Sequence, residues 1–183
     1  MRSAVFVAVS LCLVAVARSQ DILALVQEQL NGPAVQSILS KVPEGQSCRA
    51  NADQFIKKCT VDLISTTSLK DDSATLLGLI NIDQAANSLT IQGGGLAGFI
   101  DGATASEECC RASCEVAKRG CLCDGNAWTE MVRTFGGAGG VNAVFGKIVG
   151  KCNSGGRSFQ AVMDPGSSTC SEDFIPTAQA FTC

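Results

Sequence analysis

Ten cysteines behind an apolar N-terminal segment constrain the fold of this chain more than any other feature. The 183 residues include 11 cysteines, and Cys12 lies within the apolar segment. The other ten are Cys48, Cys59, Cys109, Cys110, Cys114, Cys121, Cys123, Cys152, Cys170 and Cys183. An even number of cysteines in a secreted chain favours disulfides, here up to five. The cysteines therefore predict a small fold that is stabilised by cross-links as well as by its core.

The N-terminus has the layout of a secretory signal peptide. Arg2 gives a short basic start, residues 4–17 form an uncharged apolar run, and the small residues Ala17 and Ser19 occupy the positions that a signal peptidase reads. The run is too short to span a bilayer. A buried N-terminal helix is the alternative, but so uniformly apolar a helix would be unusual there. We predict cleavage after Ser19 and a secreted protein, located outside the cell or in a cell wall.

The predicted mature chain is mildly acidic and long enough for one domain with a core. Removing 19 of the 183 residues leaves 164. Without Arg2 and Arg18, 12 of the 14 Lys and Arg residues remain against 17 Asp and Glu residues, for a net charge of −5. An acidic chain without a basic stripe argues against a nucleic-acid partner. No second apolar segment approaches the roughly eighteen residues of a membrane span, so we predict no transmembrane segment.

The crowded cysteines of residues 109–123 raise the alternative of a metal site. They comprise the adjacent pair Cys109-Cys110, Cys114, and the triplet Cys121-Leu122-Cys123. Zinc sites favour CxxC pairs, and the chain has no histidine to share the ligation. We therefore predict disulfides at these positions, with no metal and no cofactor.

The residues of common catalytic sites are missing or unsuitably placed. Neither His nor Tyr occurs, which excludes Ser-His and Cys-His nucleophile pairs and the commonest general base. The acidic pairs Asp71-Asp72 and Glu107-Glu108 are sequence neighbours, whose side chains do not converge on one substrate atom. Residues 93–98 match GxGxxG but have no βαβ unit around them, so we interpret them as a flexible surface loop. We predict that the protein is not an enzyme and has no catalytic residue.

Apolar residues at helical spacing predict helices over most of the mature chain. An N-terminal lead, residues 20–47, favours two helices, with the second starting at Pro33. Residues 48–64 predict a longer helix with Cys48 and Cys59 on its inward face.

Three more helices are predicted towards the C-terminus. Residues 107–120 have acids at the start and bases at the end, as the helix dipole prefers. A helix follows Asp124, and another runs from Val141 to Cys152 after a glycine-rich break at residues 136–140. Beyond Cys152 no period persists, which predicts a loop-rich tail pinned by its last two cysteines.

Residues 69–106 form a segment without cysteines that is rich in apolar side chains. We predict a helix over residues 73–90 with Ser73 as its N-cap, although residues 89–91 could be a short strand. The glycine run at residues 93–98 is predicted to be a hinge or loop. So many apolar side chains must bury against the cysteine-bearing helices, or close over a cavity as a lid hinged at residues 93–95.

The order of the cysteines resembles a known framework. Two single cysteines, Cys48 and Cys59, are followed by the adjacent pair at 109–110, the CxC at 121–123 and the single residues Cys152 and Cys170. This order is similar to the eight-cysteine framework of plant non-specific lipid-transfer proteins, which bifunctional α-amylase/trypsin inhibitors and seed storage albumins share. The resemblance covers residues 48–170. The chain departs from that pattern in the 49 residues between Cys59 and Cys109, in the long lead, and in the additional Cys114 and Cys183.

The resemblance implies a fold class and a disulfide pairing. The expected fold is an all-α, small disulfide-stapled helical bundle with a helical insertion at residues 69–106 and a loop-rich C-terminal tail. We expect a signal peptide at 1–19, the helical lead at 20–47 and one cysteine-rich helical domain at 48–183. The implied pairs are Cys48–Cys121, Cys59–Cys109, Cys110–Cys152 and Cys123–Cys170, with Cys114–Cys183 as an added bridge. The partners of Cys121 and Cys123 could be exchanged.

The resemblance also implies a function, namely binding or transfer of a lipid whose acyl chain lies in an apolar cavity. Candidate lining residues are Phe55, Ile56, Leu63, Leu122, Trp128, Met131, Val132, Val144, Phe145 and Ile148. Each of them could instead simply fill the core. Arg111, Lys118, Arg119 and Arg133 could meet a lipid head group or be solvated helix charges. Inhibition of a secreted hydrolase and a structural or storage role on the same scaffold are the alternatives.

Overall fold

The computed structural model describes residues 21–44, 47–83 and 88–153, together with Gln160, Gly166, Cys170 and Cys183. The predicted signal peptide and most of the predicted C-terminal tail lie outside the described residues. The described part is mainly helical, which confirms the predicted fold class. Its α-helices are α1 (Asp21–Leu30), α2 (Pro33–Leu39), α3 (Cys48–Thr66), α4 (Ser73–Leu79), α5 (Gly93–Ile100), α6 (Glu107–Lys118), α7 (Gly125–Thr134) and α8 (Ala138–Asn153).

Five disulfides connect the helical bundle, and α6 is at its centre. The pairs are Cys48–Cys121, Cys59–Cys109, Cys110–Cys152, Cys114–Cys183 and Cys123–Cys170. They are the five pairs that the resemblance implies. Three of them have one cysteine on α6, and they link this helix to α3, to α8 and to Cys183. Five disulfides indicate folding in an oxidising compartment.

The starts of α6 and α7 are fixed by side chains that accept hydrogen bonds from backbone amides. Ser106 Oγ accepts from the Cys109 amide at 3.1 Å. Asp124 Oδ1 accepts from the amides of Asn126 and Ala127, both at 2.9 Å. Such N-caps satisfy amides that have no partner in the first turn of a helix. The predicted helices after residue 107 and after Asp124 are therefore confirmed.

The apolar side chains form two main cores that meet in the middle of the bundle. The first core, around Phe55 and Val141, lies between α2, α3, α6, α7 and α8. The second core, around Ile64 and Ile100, combines α1, the end of α3, α4, α5 and Val144 of α8. The insertion therefore buries its apolar residues against the cysteine-bearing helices α3 and α8, which is the first of the two expected alternatives.

The predicted helix over residues 73–90 is wrong after Leu79. Chain residues 80–83 and 88–91 instead form the antiparallel strands β1 (Ile80–Asp83) and β2 (Ser88–Ile91), with Ile80 opposite Ile91. Isoleucine and threonine are β-branched and favour strands, and alternate residues of a strand reach the same face. The N-cap of α4 is Asp72 rather than Ser73, since Asp72 Oδ1 accepts from the Thr75 amide at 2.9 Å.

The predicted loop at residues 93–98 is also wrong, because this glycine run forms most of α5. Leu96, Ala97 and Ile100 are buried on one face of the helix. Tertiary packing on α8 compensates for the low helix propensity of glycine. The glycine-rich break at 136–140 is likewise shorter than predicted, since α8 already begins at Ala138.

No α-helix in the described ranges is long and apolar enough to cross a membrane. Over the same ranges, no group of three or more His, Cys, Asp or Glu side chains could hold a metal ion.

Candidate ligand-binding cavity

A cavity of about 1010 Å³ lies within the described part of the chain. All eight α-helices and both strands of the described ranges contribute to its wall, which is mainly apolar. The lead contributes Leu25 and Ile38, the insertion contributes Leu76 and Ile100, and the helices α3 and α8 contribute Phe55 and Ile148. Ligand cavities of about 300–1,000 Å³ with mostly apolar walls are typical of sites for small molecules.

The cavity lies where the two cores meet. Ile56, Phe135 and Ile148 pack against both the first and the second core, and all three line the cavity. Ile56 and Ile148 are on α3 and α8, whose positions relative to α6 are fixed by the disulfides. The cross-linked helices therefore form one side of the cavity, and the lead and the insertion complete it.

Polar groups border the cavity near the segment between α5 and α6. Asp62 Oδ2 accepts a hydrogen bond from the Ser106 amide at 2.6 Å, and Thr66 Oγ1 accepts from the Thr104 amide at 2.9 Å. Lys151 Nζ donates to the carbonyl of Asp101 at 2.5 Å. Asp62, Thr104 and Lys151 all line the cavity. A charged or polar end of a ligand would meet these groups here.

Six of the ten predicted lining residues lie in the cavity wall. They are Phe55, Ile56, Leu63, Met131, Val144 and Ile148. The other four, Leu122, Trp128, Val132 and Phe145, are buried in the first core or packed against it. Phe145 is behind the wall because its ring stacks on Phe55, with 4.7 Å between ring centroids, and meets the edge of Phe135. The positions of these four residues match the alternative that their side chains fill the core.

None of the four basic residues considered for a lipid head group belongs to the described wall of the cavity. Arg119 pairs with Glu115 at 3.1 Å, one helical turn away, and Arg133 pairs with Glu130. The hydrogen bond that Arg133 donates to the Glu130 carboxylate raises the pKa of Arg133, so its guanidinium stays charged. Arg111 is exposed on α6, and Lys118 is half-buried near the end of that helix. Their positions agree with the alternative of solvated helix charges.

Sequence reasoning missed the cavity residues from the lead and the insertion. Leu25, Val35, Leu76 and Leu96 line the cavity, yet none of the ten predicted lining residues belongs to the lead or to the insertion. The available signal was the large apolar content of the cysteine-free segments. Those residues were predicted to be buried, but the pattern along the chain does not distinguish a filled core from a cavity wall.

A second depression, of about 450 Å³, lies on the surface between α2 and α3. Its wall contains the charged residues Glu44, Arg49, Asp53 and Lys57. These side chains pair with one another, with 2.5 Å between Arg49 Nη1 and Glu44 Oε1 and 2.9 Å between Lys57 Nζ and Asp53 Oδ1. It is smaller and more polar than the central cavity, so the central cavity is the better candidate site.

Comparison with known proteins gives no match, whether with family models, with curated proteins or with solved structures.

Proposed function

We propose that this protein is a secreted carrier that binds the acyl chain of a lipid in the central cavity. The observation that carries the proposal is a cavity of about 1010 Å³ with a mainly apolar wall. Burial of an acyl chain needs no directional contact, and each CH₂ group removed from water contributes about 0.8 kcal/mol. A long chain therefore binds tightly to such a wall, while its polar end stays near Asp62 and Lys151.

The disulfides support the proposal because they stabilise a fold that has an incompletely filled interior. Cross-links lower the entropy of the unfolded chain and so replace part of the stability that a filled core would supply. Cys59 and Cys109 are themselves in the cavity wall, and their disulfide joins α3 to α6. The cysteine order and pairing also resemble those of lipid-transfer proteins, and the predicted signal peptide supports an extracellular location.

Displacement of a fluorescent probe tests the proposal directly. Anilinonaphthalene sulfonate is bound to the mature protein and titrated with stearic acid. We expect saturable displacement by stearic acid.

A pair of valine variants tests whether binding occurs in this cavity. Val144 is 3% exposed and lines the cavity, whereas Val132 is half-buried outside its wall. Phenylalanine at position 144 would occupy space that the ligand needs. Val144→Phe should weaken stearic acid binding about tenfold or more, while Val132→Phe should leave it unchanged.

Three results would contradict the proposal. Absence of displacement at any stearic acid concentration below its solubility limit would reject lipid binding and favour the hydrolase-inhibitor or structural alternatives. Unchanged binding by Val144→Phe would mean that the ligand binds elsewhere, and equal weakening by both valine variants would mean that the effect is not specific to this cavity. The unfolding midpoint of each variant, measured alongside, verifies that both are folded.

A further inference from the structure

Thr134 differs from the other buried polar side chains of the described ranges. Three such residues are buried, namely Thr67, Ser113 and Thr134. Thr67 Oγ1 donates to the carbonyl of Leu63 at 2.7 Å, and Ser113 Oγ donates to the carbonyl of Cys109 at 2.8 Å. Thr134 is 2% exposed, yet its hydroxyl has no hydrogen-bond partner among the described residues.

A threonine in a helix usually finds a local partner. Thr129, on the same helix, donates to the carbonyl of Gly125 at 2.7 Å. One other buried oxygen of the described chain lacks a hydrogen bond, Asp53 Oδ1, but it lies 2.9 Å from Lys57 Nζ and is therefore paired by charge. An unpaired buried hydroxyl is unfavourable, so a partner for Thr134 is expected from outside these residues.

Thr134 is also part of the cavity wall, as are Met131, three residues before it, and Phe135, the residue after it. We infer that its hydroxyl forms a hydrogen bond with an oxygen-bearing group of the bound lipid. The cavity then prefers an acyl chain with a hydroxyl or carbonyl oxygen along its length over the plain hydrocarbon chain. This inference rests on the proposed lipid binding and names the class of ligand and the residue that selects it.

The selectivity has a clear physical basis. Rotation about the Cα–Cβ bond of Thr134 moves its hydroxyl from one staggered position to another, and helical threonine populates two such rotamers. The hydroxyl can therefore reach a ligand without movement of the backbone. An oxygen on the carbon of the acyl chain that lies beside Thr134 forms a hydrogen bond with its hydroxyl. An oxygen on another carbon of the acyl chain is buried without a partner against apolar side chains, which weakens binding.

The test compares stearic acid with hydroxystearic acids that differ in the carbon carrying the hydroxyl. Displacement of anilinonaphthalene sulfonate is measured with the wild-type mature protein, Thr134→Val and Thr134→Ser. For the wild type and Thr134→Ser, at least one hydroxystearic acid should bind about tenfold more tightly than stearic acid. Thr134→Val has nearly the same shape but no hydroxyl, so the ratio of its affinities for that hydroxystearic acid and for stearic acid should fall to about one or below.

The outcomes separate this inference from the proposed function. If the wild type binds stearic acid but prefers none of the hydroxystearic acids, or if Thr134→Val keeps the preference, the inference is wrong and the proposed function stands. If stearic acid does not displace the probe, the proposed function itself fails. Unfolding midpoints verify the fold of each variant, and Thr134→Ala replaces Thr134→Val if the latter does not fold.

Discussion

Gly93 of α5 lies directly against Gly140 of α8. A Cβ added to Gly93 would be 2.8 Å from the Gly140 Cα and 2.7 Å from the carbonyl oxygen of Phe135. Both are backbone atoms, which cannot rotate away as a side chain can. The two glycines therefore allow α5 to pack closely on α8, and this contact fixes the insertion beside the cavity.

Gly93→Ala should destabilise the protein by about 1–3 kcal/mol, because the added methyl group pushes the two helices apart. Gly98→Ala is the matched control on the same helix, since a Cβ there has no neighbour within 4 Å. It should leave stability unchanged or raise it by about 0.5–1 kcal/mol, since alanine favours the helix more than glycine does. Urea unfolding of both variants measures the difference. Equal effects of the two substitutions would contradict the close contact.

Leu76 and Leu77 are adjacent on α4 but differ in burial, at 5% and 53% exposed. Leu76→Ala should lower the free energy of unfolding by about 2 kcal/mol or more, because it removes apolar contacts in the second core. Leu77→Ala should change it by less than about 0.5 kcal/mol. The same chemical change on the same helix makes each variant the control for the other. A larger loss at position 77 would mean that α4 presents its other face to the bundle.

The Cys59–Cys109 disulfide closes a loop with a sequence separation of 50 residues. The double variant Cys59→Ala, Cys109→Ala should therefore lose about 4 kcal/mol of stability according to the chain-entropy model. Denaturant unfolding of the variant and the wild type measures this loss. Alkylation of the unreduced wild-type mature protein, followed by mass spectrometry, should label no cysteine. A labelled pair at positions 59 and 109 would contradict this cross-link.

Asp72 should make stability depend on pH in the acidic range. Hydrogen bonds from the Thr75 hydroxyl and amide lower the pKa of Asp72 below its ordinary value of 3.8. The ionised cap therefore stabilises the fold above the unfolded-state pKa, and this contribution is lost as the pH falls through the lower folded-state pKa.

Asp72→Asn removes the charge, so its thermal midpoint should be lower than that of the wild type at about pH 7, and this gap should narrow as the pH falls below the ordinary pKa of 3.8 and through the lowered pKa of Asp72. Asp71→Asn is the control, because the exposed Asp71 is not the N-cap of α4. Thermal unfolding across this pH range checks the prediction. A constant gap for Asp72→Asn would show that the charge has no role in capping.

The regular helices could be predicted because their signals are local. In α6, acids in the first turn, Lys118 in the last turn and the buried stripe through Cys110, Cys114 and Ala117 are all contained in twelve consecutive residues. A helix hydrogen-bonds only within its own segment, so such a pattern is sufficient. The five disulfide pairs were instead implied by the resemblance of the cysteine order to a known framework, which left the partners of Cys121 and Cys123 open.

The insertion shows where local reasoning fails. The low helix propensity of glycine favours a loop for the glycine run of α5. The run is nevertheless helical because Gly93 can approach Gly140, which is distant in the sequence. Residues 80–83 and 88–91 form strands because these two segments pair with each other. In both cases a contact between two separate elements outweighs the preference of a single segment.

The sequence by itself determined the cysteine framework, the main helices and the burial of the apolar faces. Only the tertiary structure decided which apolar residues line a cavity and which fill a core. Phe55 and Phe145 have similar positions on their helices, yet Phe55 lies in the wall and Phe145 lies behind it. The hydrophobic effect removes both rings from water without specifying their neighbours, so the shape of the space between packed helices makes the distinction.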